Sequence, residues 1–108
     1  MKYPFSPALA AALLGLVASG AAPASEKLAI QSGCAACHAP AKKVIGPAYR
    51  DIAIKYKGQP QAVALLSERI RKGGKGVWGE VPMAPTPAAR VNDADLKALV
   101  TWVLKTPA

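Results

Sequence analysis

Two cysteines three positions apart, followed at once by a histidine, constrain this chain more than any other feature: Cys34-Ala35-Ala36-Cys37-His38. The C-x-x-C-H spacing supplies two thiols and an imidazole in the arrangement that attaches a c-type haem. Each thiol adds covalently across a porphyrin vinyl group, and the neighbouring histidine is thereby set under the iron as proximal ligand. Three other readings compete. A thioredoxin-like dithiol wants C-x-x-C beside a βαβ pattern, and no strand run of that kind occurs. A zinc site wants about four ligands, whereas the chain holds two Cys and one His. A structural disulfide closing a two-residue loop gains little, because the entropic benefit grows with loop length.

The N-terminus predicts export. Lys2 precedes an apolar run from Ala8 to Val17, and small residues follow, ending in Ala22-Pro23-Ala24. This reads as a secretory signal peptide over 1–24, cleaved after Ala24, with the working domain at 25–108. An uncleaved anchor is the alternative, but the apolar stretch is short of the ~20 residues a bilayer span needs, and Pro4 and Pro7 interrupt its start. The predicted location is the periplasm, without stable membrane insertion. Removing residues 1–24 from the 108 leaves 84, a small domain for which a covalent cofactor supplies part of the core.

Of fourteen Lys and Arg, only Lys2 lies in the leader. Thirteen remain against six Asp and Glu, a balance of +7. Such a charge implies solubility and attraction to acidic surfaces. Nucleic acid is not the expected partner, because the basic residues are scattered and no nucleic-acid motif accompanies them.

The domain reads as all-α, with helices joined by Gly/Pro-rich loops. Ser25 is a candidate N-cap for a first helix leading into the haem motif. Tyr49, Ile52, Ala53 and Tyr56 recur at helical spacing between Pro47 and Gly58. Ala62, Leu65, Leu66 and Ile70 repeat the pattern over 61–72, and Gly73-Gly74 stops it. Asn92 caps a last helix with Leu96, Leu99, Val100 and Val103 on one face and Asp93 and Asp95 at its dipole-favoured start. Between Gly73 and Asn92, the spacing of Pro82, Pro85 and Pro87 among four glycines forces an extended loop. A loop that long in so small a domain is functional or disordered.

Met83 lies in that loop. His38 is the only histidine, which excludes bis-histidine ligation within one chain, and Met83 is the only methionine beyond the leader. His/Met ligation raises the reduction potential and closes the position where a small molecule would bind, favouring electron transfer over chemistry. The alternatives are a gap-filling Met in the core, or a Lys or water on the iron. A peroxidase-like enzyme would need an open sixth position and a distal acid–base group, and no second His is present to serve. A ligand sensor would need a displaceable ligand.

CAACH at 34–38, IGPAYRDIA at 45–53, GVWGEVPMAP at 76–85 and the closing LKALVTWVLK together resemble the small bacterial class I cytochromes c of the c-551 type. The resemblance spans 25–108 and implies about four short helices wrapped around one covalent haem c. It implies attachment through Cys34 and Cys37 and iron held by His38 and Met83. The Pro47 carbonyl would accept from the other His38 ring nitrogen, and Arg69 and Trp78 would hydrogen-bond a buried propionate. It also implies a monomeric one-electron carrier and not an enzyme. Electrons would come from a membrane cytochrome complex or another carrier and pass to a nitrite reductase or terminal oxidase. Gly33 and Trp102 are expected to mark a close crossing of the first and last helices. Glu80 departs from the pattern, standing where relatives often carry proline, and brings charge into the Met loop.

Overall fold

The computed structural model describes residues 25–108, so the signal peptide expected over 1–24 lies outside the described residues. Among the described residues four helices follow one another: α1 (Glu26–Gln31), α2 (Tyr49–Tyr56), α3 (Ala62–Lys72) and α4 (Asp93–Leu104), with a 3-10 turn at Cys34–Ala36. Among the described residues strand pairing is confined to two isolated bridges, His38 with Lys43 and Gly74 with Met83.

The helix ends follow from their capping chemistry. Ser25 Oγ accepts from the Leu28 amide at 3.3 Å, and Asn92 Oδ1 accepts from the Asp95 amide at 2.8 Å. Each satisfies an amide that has no partner inside its helix. The third helix begins one residue later than its apolar pattern suggested, with Gln61 as the residue before it. Gly33 ends α1 in the left-handed region (φ 85°), and the chain turns directly into the cysteine motif.

Two small cores hold these helices. Leu28 and Ala29 of α1 meet Tyr49 of α2 and Leu99 of α4, with Cys34, Ile52 and Trp102 packed against them. Val91, Leu96 and Val100 meet Val63, Leu66 and Ile70 of α3. Helix α4 therefore serves both cores, which is why its apolar face is the clearest in the sequence. Two expectations are corrected. Leu65 is 37% exposed and belongs to neither core. Gly33 does not make room for Trp102; a Cβ there would meet the Arg90 guanidinium, whose Nη1 would be 2.8 Å away.

Candidate functional site

The cysteine motif is wound into the 3-10 turn. Amides of Cys37 and His38 both donate to the Cys34 carbonyl, at 3.1 and 3.0 Å, so the two thiols and the imidazole leave one tight turn together. All three side chains are half-buried, and the cysteines are not bonded to each other. Burial pushes the Cys34 thiol up, while its backbone hydrogen bond and the Arg90 charge oppose that rise.

His38 is oriented from three directions. Its Nδ1–H donates to the Pro47 carbonyl at 2.7 Å, which commits that ring nitrogen. The Tyr49 ring stacks on it, 5.7 Å between centroids and 25° between planes. The Gly46 backbone presses against the imidazole, and the Gly46 amide is itself tied to the Cys37 carbonyl at 2.7 Å. Tyr49 in turn meets the edge of Trp102 at 5.4 Å.

Met83 is carried by a strap from Gly73 to Thr86. Reciprocal bonds with Gly74 hold it, the Met83 amide to the Gly74 carbonyl at 2.8 Å and the reverse at 3.0 Å. The Gly76 amide closes the tip on the Gly79 carbonyl at 2.8 Å, and a Lys75–Glu80 ion pair at 3.4 Å spans it. That charge link is exposed and weak. At its far end the Thr86 amide donates to the Ile70 carbonyl at 2.9 Å. Arg71 reaches both the Thr86 carbonyl, at 3.3 Å, and Asp93, at 2.7 Å, tying the strap to the start of α4.

The other two expected site residues stand differently. Trp78 is 42% exposed, with the Lys55 ammonium 5.4 Å above its ring. Arg69 lies exposed in the last turn of α3. Arg71, Gly46, Tyr49 and Lys55 are the contributors that sequence reasoning did not assign to the site.

The residues present fit a haem. Two thiols and an imidazole with one nitrogen committed are groups that would attach a haem c and hold its iron, and the Met83 thioether is a donor of the kind that would complete the set. Large apolar side chains lie uncovered on the same segments: Ile45 beside Gly46, Ile54 on α2, Leu65 on α3, and Val77 and Trp78 on the strap. The apolar body of a macrocycle is a surface that would cover such side chains.

The hydroxyl of buried Tyr49 has no hydrogen-bond partner among the described residues. Burial pushes its phenol up to about 12. The folded state therefore prefers the neutral phenol, and the stability this confers is present below the unfolded value near 10 and is lost as pH rises from 10 toward 12. Tyr49→Phe is expected to be no less stable than wild type at pH 7, because it deletes an unsatisfied hydroxyl, and to lose less stability between pH 9 and pH 11.5. Urea midpoints of both proteins at these pH values, with the iron reduced, check this; parallel alkaline losses would place the titrating group elsewhere.

A helical domain built around this attachment turn defines a monohaem c-type cytochrome, an electron carrier with one covalently bound haem c. A family model described as Cytochrome c matches residues 23–107, and the chain belongs to the cytochrome c family. It is 57% identical over 81 residues to "Cytochrome c2" of Rubrivivax gelatinosus, covering 75% of this chain and 95% of that one. With "Cytochrome c-552" of Hydrogenobacter thermophilus the identity is 49% over 96 residues, covering 89% and 93%. The crystal structure of wild-type Nitrosomonas europaea cytochrome c552 superposes with a TM-score of 0.71 at 44% identity, covering 76% of this chain and 99% of that chain.

Proposed function

We propose that this cytochrome is a periplasmic shuttle whose iron is held between His38 and Met83, with thioether bonds at Cys34 and Cys37. The observation that carries this reading is that the one His and the one Met of the domain are both locked by backbone bonds, His38 through Pro47 and Met83 through Gly74. Bound there, the haem supplies a one-electron Fe(III)/Fe(II) couple. The chain's residues do the rest. Pro47 keeps the His38 proton on Nδ1. A soft thioether from Met83 favours the ferrous state and blocks access of small molecules. The indole N–H of Trp78, whose ring lies under the Lys55 ammonium, and the Arg69 guanidinium are the donors to a propionate in this reading.

Residues 1–24 serve in this reading as a cleaved signal peptide. Among the described residues no helix is long and apolar enough to cross a membrane. Electrons arrive from a membrane cytochrome complex or another carrier and leave to a nitrite reductase or terminal oxidase, the carrier acting as a monomer. Its positive charge steers it to acidic partners.

Lys42 and Lys43 are exposed beside the His38 turn and make no ion pair among the described residues, whereas Lys75 is partly compensated by Glu80. The second-order rate with an acidic redox protein is therefore expected to fall as salt rises, the Debye length shrinking from ~30 Å at 0.01 M to ~8 Å at 0.15 M. Reversing Lys42 or Lys43 should slow association more than reversing Lys75, with little change in potential. Stopped-flow oxidation across a salt series tests the shuttle reading. A flat or rising rate would mean that docking is apolar and the charge serves only solubility.

A further inference from the structure

We infer that Gly46 is a positioning residue that, with Tyr49, fixes the plane of the His38 imidazole. The inference rests on the reading of His38 as an iron ligand. A hydrogen bond through Nδ1 directs one ring nitrogen toward the Pro47 carbonyl, but a single bond lets the ring rock about that axis. Two further contacts remove this freedom. A Cβ on Gly46 would stand 2.6 Å from His38 Cε1, 2.9 Å from Nδ1 and 3.2 Å from Nε2, well inside van der Waals contact. Tyr49 presents its ring plane to the imidazole at 25°.

Neither contact partner is able to retreat. Gly46 is held through its amide to Cys37 and through its carbonyl, which accepts from the Val44 amide at 3.2 Å, and Pro47 stiffens the next bond. Tyr49 is buried at the start of α2, its amide donating to the Ala39 carbonyl at 3.0 Å and its ring braced by Trp102. Gly46 is not among the glycines with positive φ, so its backbone conformation is open to other residues. What demands glycine here is the missing Cβ alone. The plane of an axial imidazole sets which iron d-orbital is raised by π-overlap, and so the direction in which unpaired spin spreads over the macrocycle in the ferric state. Gly46 thus acts on the electronic axis of the iron through His38, without touching the iron.

The test is paramagnetic NMR and EPR of ferric holoprotein, comparing wild type with Gly46→Ala and Tyr49→Leu, and using Tyr49→Phe as the variant that keeps the ring. Gly46→Ala and Tyr49→Leu are expected to change the order or spacing of the four haem-methyl shifts and the EPR g-values, while Tyr49→Phe reproduces wild type. A purely structural role would lower stability and leave the pattern intact. Should Gly46→Ala not fold, the Tyr49 pair carries the comparison. An unchanged pattern in the folded Gly46→Ala protein, or in Tyr49→Leu, overturns the clamp. Absence of the His38 ring protons from the hyperfine-shifted envelope of wild type overturns the ligand assignment, and the clamp falls with it.

Discussion

Met83→Ala is expected to leave the haem on the polypeptide while opening the sixth iron position. The attachment turn is built from Cys34 to His38 and, among the described residues, shares no backbone hydrogen bond with the strap, so covalent retention is independent of Met83. Replacing a soft thioether by water or a lysine amine shifts the balance toward ferric iron. The potential should fall by a sizeable share of the ~0.8 V range that axial ligands span. Oxidised wild type should show the weak far-red band of sulfur ligation and bind cyanide slowly, and the variant should lack the band and bind cyanide quickly. Acid–acetone extraction run alongside should leave colour with both proteins. An unchanged band and potential would reduce Met83 to a packing residue.

A second large effect is expected at a residue that touches no iron. Gly73 has φ 68° and ψ −166°, a conformation open in practice only to glycine. A Cβ there would also press into the Met83 carbonyl oxygen and lie 2.9 Å from the Pro85 nitrogen. Strain and collision fall on the same pair of backbone bonds that holds Met83 in place, so relieving them displaces the thioether. Gly73→Ala should cost on the order of 3 kcal/mol, a large part of a small domain's ~5–15 kcal/mol, and should weaken the sulfur band. Gly58→Ala is the control, since it shares a positive φ of 75° but nothing lies within 4 Å of its Cβ. It should lose about 1–2 kcal/mol and keep the band. Urea unfolding with parallel spectra separates the two; equal losses with both bands intact would show that Gly73 is merely another left-handed turn.

How far these features could be read from the sequence depends on how local they are. Ser25, Asn92 and the apolar faces of α2 and α4 act within one or two turns, so composition and spacing reveal them. The proline and glycine content of 73–92 likewise excludes a helix, since its effect is on the residues themselves. Arg71 was not distinguishable from Arg69, because two positions apart on α3 they point to different sides. Only the path of a strap returning from residue 86 decides which of them finds a carbonyl. Gly46 was invisible for a related reason. A glycine that relaxes a turn announces itself by its neighbours, but one that makes room for a side chain eight residues earlier does not. Tyr49 was legible as a core residue, yet helical periodicity says which face is buried and not which ring it meets. Leu65 has the spacing of a core residue, and the packing of α3 on α4 passes it by, leaving it on the uncovered apolar surface.

The two sides of the site also differ in how much chain is needed to build them. Everything that touches the His38 ring, from Gly46 to Tyr49, lies with the attachment turn within sixteen consecutive residues. Met83 is delivered by a strap whose bonds run to Gly74, to Ile70 and, through Arg71, to the first residue of α4. Most of those bonds are near the surface, and few buried apolar contacts back them, the hallmarks of a segment that opens at low free-energy cost. Amide exchange should then be graded, fastest across 74–86 and slower from 37 to 49. Under rising denaturant, the iron would part from its sulfur well before it parts from its nitrogen.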